Sequence, residues 1–279
     1  MLDEYAGRDL LDHSIYHNRR LVSAVCAQAA RRKSREKPLF CGSEVLTLAV
    51  AQHWLGIAQE REFLRSIRNN HLPLFPRLVD QSQFNRRARA LCWLMRELCR
   101  HLIAERGRVK TPCQLIDGTP VQVRHWRRLG KGHLLWPRAS LGYCAAKKET
   151  YYGFRLLAVT TLDGIIVDWN LFAANADERV GPQECWKVTA ASAFWATRAF
   201  RRQQGQNPRV WDTAMNRAWR VIETTFAQAK GAFGLEKPGA RSLWGLQSRL
   251  IAKIICLTLA ACHNVQQGHS PLRLEEFSF

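Results

Sequence analysis

The stretch CQLIDGTPVQV (residues 113–123) is the first part of the chain in which apolar residues alternate with a period of two. Such alternation predicts a β-strand that buries one face. Asp117 stands at the centre of this stretch and Gly118 follows it directly. By residue type alone, an aspartate there is usually a turn or cap residue. A carboxylate inside a buried strand therefore needs a chemical reason.

Two further strands follow along the chain. YYGFRLLAVTT (151–161) and IIVDWNLFAAN (165–175) show the same alternation, and LDG (162–164) between them is a turn signal. The three segments predict a strand followed by a hairpin. Asp163 is interpreted as a turn residue.

The chain before these strands has apolar residues at helical spacing from Leu10 to about Arg106. A helix is predicted over SEVLTLAVAQHWL (43–55), with Ser43 as its cap. The prolines of LPLFP (72–76) end the helical pattern, which restarts with Asp80 or Ser82 as a cap. We therefore predict an all-helical N-terminal domain over residues 1–107, with DNA binding as its function.

Helical periodicity returns after the strands. MNRAWRVIETTFAQAKGAFGL (215–235) predicts one helix, and a buried closing helix is predicted from Ser242 onward. A strand, a hairpin and then a helix, with acids on the strand and on the late helix, is the order expected of a ribonuclease H-like fold. We predict an α/β domain over residues 108–279, with a ribonuclease H-like mixed sheet and flanking helices.

The charge balance indicates the class of partner. Lys and Arg number 42 against 23 Asp and Glu, which gives a formal net charge of +19 and a pI of about 10.2. A polyanion such as nucleic acid is the natural partner. A membrane is not expected, because no terminus carries a basic amphipathic helix and the apolar stretch 250–262 is short and interrupted by Lys253.

The nine cysteines form no CxxC pair and have no histidine at zinc spacing. An odd number of cysteines without a predicted secretion signal favours reduced core thiols and a cytoplasmic location.

Two basic segments are candidates for binding phosphate. The first is a helix with Arg86, Arg87 and Arg89, which could equally be a solvated face. The second is the segment between the first two predicted strands, which is either a nucleic-acid contact or a solvated loop. In it, cations alternate with aromatic rings: Arg127, Arg128 and Lys147 with Trp126, Trp136 and Tyr143.

Four blocks of sequence resemble a DDE transposase of a bacterial insertion sequence, closest to the insertion-sequence family numbered 982. They are LFPRLVDQSQFNRRAR (74–89), LIDGTPVQV (115–123), the run from ASLGYC to NADER (139–179) and RVIETTFAQAKGAFGL with its continuation to Ile254 (220–254). The resemblance covers most of the chain apart from about Val180 to Met215.

The resemblance implies an enzyme that cuts the ends of its own element and joins the 3′ hydroxyl to target DNA with two Mg²⁺ or Mn²⁺ ions. Asp117 corresponds to the first catalytic carboxylate and Glu223 to the third, both as metal ligands. Lys230 corresponds to a DNA-contacting lysine. Asn216 and Trp219 replace the family's Tyr and Arg, and Arg220 is the adjacent cation. A homodimer is also implied.

The family's second aspartate, in a segment resembling GDKGY or GDKGF, is missing. WATRAF (195–200) can be encoded TGG GCG ACA AGG GCT TTC, and reading from one base earlier gives Leu-Gly-Asp-Lys-Gly-Phe. We hypothesise that about Cys185 to Phe200 are translated out of frame and that residues 180–215 are disrupted. If the frame is sound, Asp177 or Asp212 must supply the ligand.

The expected consequence is little or no strand transfer, since one metal loses a ligand. The alternative is a non-catalytic DNA-binding remnant that occupies element ends. A general nuclease of the same fold and a basic protein without DNA function are the other readings.

The out-of-frame hypothesis predicts the nucleotide sequence across codons 180–216. Sequencing independent clones should show that a one-base shift restores Leu-Gly-Asp-Lys-Gly-Phe. Codons that cannot encode this peptide in the shifted frame would rule the hypothesis out and make Asp177 and Asp212 the residues to mutate.

Overall fold

A computed structural model of the chain describes residues 40–105, 113–125, 127, 135, 138–144, 147–176, 194–196 and 209–274. These residues form a mixed α/β structure, as the sequence predicts. The helices are α1 (Gly42–Trp54), α2 (Glu60–Asn70), α3 (Gln81–Ala90), α4 (Cys92–Glu105), α5 (Arg209–Gly231) and α6 (Leu243–Gln266). The strands are β1 (Cys113–Arg124), β2 (Ser140–Cys144), β3 (Glu149–Thr161), β4 (Ile166–Ala173) and β5 (Phe194–Ala196).

The long strand β3 organises the sheet. It pairs antiparallel with β1 along one edge, and with β2 and β4 along the other. The short strand β5 adds to the outer edge of β1 and runs parallel to it. The predicted strands at 113–123, 151–161 and 165–175 are therefore confirmed as β1, β3 and β4, whereas β2 and β5 were not predicted.

The two faces of β1 bury different apolar groups. Leu115 and Val121 belong to the main core, whereas Ile116 belongs to a smaller cluster with Leu157 and Val159. This division follows from the pleat, because successive side chains of a strand point to opposite faces. The sheet is thus apolar on both sides.

The helices before the sheet pack on the closing helix. Helix α6 contacts α1, α3 and α4, and its apolar residues join theirs and those of the sheet in one core cluster. The predicted domain boundary near residue 107 lies outside the described residues, and the division into two domains stays a prediction. Residues 1–39 of the predicted helical region also lie outside them.

The helix caps are partly as predicted. Asp80, one of the two predicted caps, caps α3 by accepting from the Gln83 amide at 2.9 Å. Ser242, predicted only as the start of the closing helix, caps α6 by accepting from the Gly245 amide. The predicted cap Ser43 is wrong, because α1 begins at Gly42 and Cys41 is its N-cap. There the Glu44 carboxylate accepts from the amide of the N-cap residue itself at 2.6 Å, as the glutamate of a capping box does.

Helix α6 is longer than the apolar stretch predicted from the sequence. Its 24 residues are long and apolar enough to cross a bilayer, but 72% of its most apolar window is buried inside the protein. A helix buried to this extent is typical of a protein core.

Six cysteines are free thiols: Cys41, Cys92, Cys99, Cys144, Cys256 and Cys262. Of these, Cys92, Cys99, Cys256 and Cys262 are buried. Burial raises the pKa of Cys99 to about 12, so this thiol stays protonated at neutral pH. The prediction of reduced core thiols is confirmed for these four.

The register of β1 on β3 requires a glycine at position 153. A Cβ atom there would lie 2.1 Å from the Val121 carbonyl oxygen and 3.0 Å from the Val123 amide nitrogen. We expect Gly153→Ala to lower the free energy of unfolding by on the order of 3 kcal/mol, since the backbone must shift. Urea unfolding followed by circular dichroism measures this.

Gly231→Ala is the matched control, because nothing lies within 4 Å of a Cβ added at that helical position. It should be neutral or stabilise the protein by up to about 1 kcal/mol. Equal urea midpoints for Gly153→Ala and the unchanged chain would contradict the β1–β3 register.

Candidate active site

Asp117 lies in the middle of β1, the strand between β3 and β5, and is half-buried. It pairs with Ala158 of β3 and, two residues from Leu115, faces the main core side of the sheet. Gly118 leaves room on the other face for the stem of Arg155, since an added Cβ would lie 3.0 Å from Arg155 Cδ. Asp117 therefore lies on a strand that is paired with β3 on one side and with β5 on the other.

Glu223 lies on α5, which packs against β1. The buried side of this helix carries Trp219, Ile222 and Phe226, while Glu223 is exposed. This arrangement follows from the helical spacing of the apolar residues. The two predicted carboxylates therefore lie on elements that touch each other.

A hydrogen bond ties α5 to the β3–β4 hairpin. The single hydroxyl hydrogen of Thr225 is shared between the Gly164 carbonyl at 3.1 Å and the Val221 carbonyl of its own helix at 2.9 Å. Thr225 and Gly164 are both buried. Gly164 has a φ of +84°, a conformation that suits the turn and is strained for other residues. An added Cβ there would also lie 2.7 Å from Thr225 Oγ1. The turn predicted at LDG is confirmed. Its contact with Thr225 helps to position α5, and with it Glu223, relative to the sheet.

Strand β5 ends beside the Asp117 region of β1. Ala196, its last residue, pairs with Leu115, two residues before Asp117. In the shifted reading frame the aspartate codon overlaps the codons of Ala196 and Thr197. The out-of-frame hypothesis therefore places the aspartate codon at the end of the segment that forms β5.

The donor set for two metal ions is incomplete. Within the described ranges, no three His, Cys, Asp or Glu side chains come together in a group that could hold a metal ion. Asp177 and the side chain of Asp212 lie outside those ranges. The residues that are described do not fit a two-metal centre.

The remaining predicted DNA contacts differ in surroundings. Arg86, Arg127 and Arg220 are exposed, and Lys230 is half-buried in the last turn of α5. The Arg87 guanidinium lies 5.6 Å from the centre of the Phe40 ring. Arg128 lies outside the described residues.

Lys147 is engaged within the protein. Its ammonium lies 2.7 Å from the Glu236 carboxylate, and this hydrogen bond raises the pKa of Lys147. The pair is partly exposed and contributes little to stability. The Glu236 carboxylate, which follows α5 in the chain, therefore neutralises the positive charge of a lysine that was predicted to contact DNA.

Lys253 holds the end of α5, a role that sequence reasoning missed. Its buried ammonium on α6 donates to the Phe233 carbonyl, just beyond the last turn that carries Lys230. Burial, with a smaller contribution from the charge of Arg249, lowers the pKa of Lys253 to about 8. The only sequence signal was a lysine inside an apolar helical stretch.

No protein-family model, curated protein or solved structure matches this chain. The resemblance to insertion-sequence transposases stays a prediction.

The buried lysine predicts a dependence of stability on pH. Because folding lowers the pKa of Lys253 from 10.5 to about 8, the unfolded chain binds more protons than the folded chain between these pH values. Through this residue the free energy of unfolding rises with pH in that window, by at most about 1.4 kcal/mol per pH unit. Lys253→Met should remove this rise.

The measurement is the free energy of urea unfolding of Lys253→Met and of the unchanged chain at pH 7.5 and pH 10. The difference between the two proteins is compared at the two pH values. Cys92 and Cys99 lose stability over the same range, but they contribute equally to both proteins and cancel. Burial raises the pKa of Cys256 and the charge of Lys253 lowers it, so both proteins carry Cys256→Ala, which removes this coupling. Lys237→Met, at an exposed lysine after α5, is the control and should leave the pH dependence unchanged. Parallel pH curves for Lys253→Met and the unchanged chain would show that Lys253 is not desolvated.

Proposed function

We propose that this chain descends from a DNA transposase of an insertion sequence, and that in its present form it binds DNA without strand transfer. The observation that carries the proposal is the half-buried Asp117 at the centre of β1, with the parallel strand β5 ending beside it. This is the position on the strand between β3 and β5 at which the resemblance implies the first metal ligand.

The sheet order supports a ribonuclease H-like arrangement. Strands β1, β3 and β4 are antiparallel, and β5 is parallel to β1. A residue after the end of β5 and one within β1 then approach the same region of the sheet. Helix α5, which packs on β1, brings Glu223 as the third element. Carboxylates distant in sequence can converge in this way.

The charge supports DNA as the partner. The net charge of +19 is distributed over surface arginines that include Arg86, Arg127 and Arg220. Each cation placed on a phosphate releases counterions, so such binding is strong at low salt and weak at high salt. This binding requires no metal.

Two ions, when bound by a complete set of carboxylates, activate the attacking oxygen and stabilise the leaving oxygen. Asp117 and Glu223 supply two of the three carboxylates that the resemblance implies. The second aspartate of the family's set is missing from the segment that should hold it, so the carboxylates present do not complete a site for cleavage.

A second candidate function is that of a remnant that occupies element ends and blocks an active relative. The incomplete donor set among the described residues favours it over a general nuclease. Both candidates predict DNA binding, and they differ in whether a related transposase is inhibited.

The test uses labelled duplexes that carry the DNA flanking the gene on each side, with a plasmid as target. We expect binding that weakens steeply with salt and does not need Mg²⁺, and no joining to the plasmid. Asp117→Asn and its control Asp163→Asn, in the β3–β4 turn, should both bind like the unchanged chain.

Mg²⁺-dependent joining that disappears in Asp117→Asn but not in Asp163→Asn would overturn the loss of strand transfer. Binding to neither duplex at low salt would overturn the assignment to DNA altogether.

A further inference from the structure

Helix α2 presents a row of arginines on its exposed side. Arg61, Arg65 and Arg68 are all exposed, and their spacing of four and then three residues places them next to one another on the surface of the helix. Among the described side chains, no other helix carries three exposed arginines. The arginine row, as we call these three residues, is therefore a feature of α2 in particular.

The guanidinium groups of the arginine row are not engaged by other described residues. None of the three forms an ion pair or a side-chain hydrogen bond within the described part of the chain. By contrast, Arg96 of α4 contacts Asp168, and Arg249 of α6 contacts Glu60. A guanidinium whose N–H donors are all available can bind two oxygens of a phosphate at once.

The two acids of α2 do not neutralise the arginine row. Glu60 is buried and accepts from Arg249 Nη2 at 2.8 Å and from Asn85 Nδ2 at 2.8 and 2.9 Å. Glu62 is exposed, but it forms no ion pair with another described residue. Three exposed arginines against one exposed glutamate leave this side of α2 with a charge of +2.

The opposite side of α2 holds the arginine row in place. Phe63, Leu64 and Ile67 are buried in the main core. The contacts of Glu60 also join the first turn of α2 to α6 and to α3. Because the backbone beneath the row is already ordered, binding there costs less conformational entropy than binding to a segment that must first become ordered.

The length of the arginine row suits the backbone of duplex DNA. From Arg61 to Arg68 the helix rises by about 10 Å, at ~1.5 Å per residue. Over the same distance along its axis, one strand of a duplex passes about three phosphates, at ~3.4 Å each. Each arginine of the row can therefore meet a phosphate of its own.

We propose that the arginine row of α2 binds the phosphate backbone of duplex DNA. The inference rests on the proposed function in taking DNA as the partner. It adds a contact surface on a helix that carries none of the predicted contacts, which include Arg86 on α3 and Arg220 on α5. Because phosphate contacts carry no direct information on the bases, this surface should bind duplexes of different sequence equally.

The experiment is fluorescence anisotropy of the full chain with two labelled duplexes of about 25 base pairs and unrelated sequence, without metal, from about 50 to 200 mM NaCl. The slope of log K against log salt concentration changes by about 0.9 for each phosphate bound. Arg61→Gln, Arg65→Gln and Arg68→Gln should each reduce the slope by about 0.9, and the triple variant should reduce it by about 2.7. Arg65→Lys should keep the slope, because it keeps the charge.

Two matched controls lie outside α2. Lys237→Gln and Arg241→Gln each remove one exposed cation, so the net charge changes by the same amount as in the single variants of the row. Both should leave the slope within about 0.3 of that of the unchanged chain. Thermal unfolding of each variant shows whether the fold is intact.

Three results would overturn the inference and leave the proposed function standing. The first is an equal loss of slope for the row variants and the controls, because overall charge alone would then explain the binding. The second is a triple variant with the slope of the unchanged chain. The third is a loss confined to one of the two duplexes, which is the behaviour of a contact to bases.

Failure of the unchanged chain to bind either duplex at low salt would overturn both the inference and the proposed function. In that case vesicles that contain phosphatidylserine are the second probe. Binding to them that is lost in the triple variant would assign the arginine row to an anionic membrane surface instead.

Discussion

The antiparallel pairing of β1 with β3 is the constraint on which the rest of the structure depends. It runs from Gln114 to Arg124 on β1, and it is possible only because Gly153 has no side chain where the Val121 carbonyl approaches. The pairing fixes which face of the sheet each residue of β1 occupies. A slip by one residue would move Asp117 to the opposite face and take Leu115 and Val121 out of the main core.

The closing helix α6 depends on that sheet and on the helices before it. Its apolar residues complete a core to which both contribute, and its Lys253 reaches the chain just after α5. A second link runs from α4 to β4, where Arg96 lies over the Trp169 ring and contacts Asp168 at 3.3 Å. A buried cation that donates to a carbonyl, and a cation packed on a ring, can hold elements together with little apolar area. The position of Glu223 is therefore set partly by residues far from it in sequence.

The site was predictable only in part. Asp117 could be singled out from the sequence, because a carboxylate is unusual within a strand of alternating apolar residues, but only the resemblance implied its role as a metal ligand. Glu223 could not be separated from other surface acids by residue type, and only the resemblance pointed to it. The contact of the Arg89 side chain with Gly245 could not be predicted from the sequence, since about 150 residues separate them and only the folding of α6 onto α3 brings them together. Lys147 was predicted as a DNA contact, but its pairing with Glu236 arises from tertiary contact alone.

The sequence by itself determined the mixed α/β class, three of the five described strands and the β3–β4 turn, and it narrowed the cap of α3 to Asp80 or Ser82, because these follow from local periodicity and turn or cap chemistry. Tertiary structure decided the strand order, the short strands β2 and β5, and the packing of α6 on α1, α3 and α4. Five residues or fewer carry too little periodicity to be recognised alone, and they become strands only when β1 or β3 offers its hydrogen bonds.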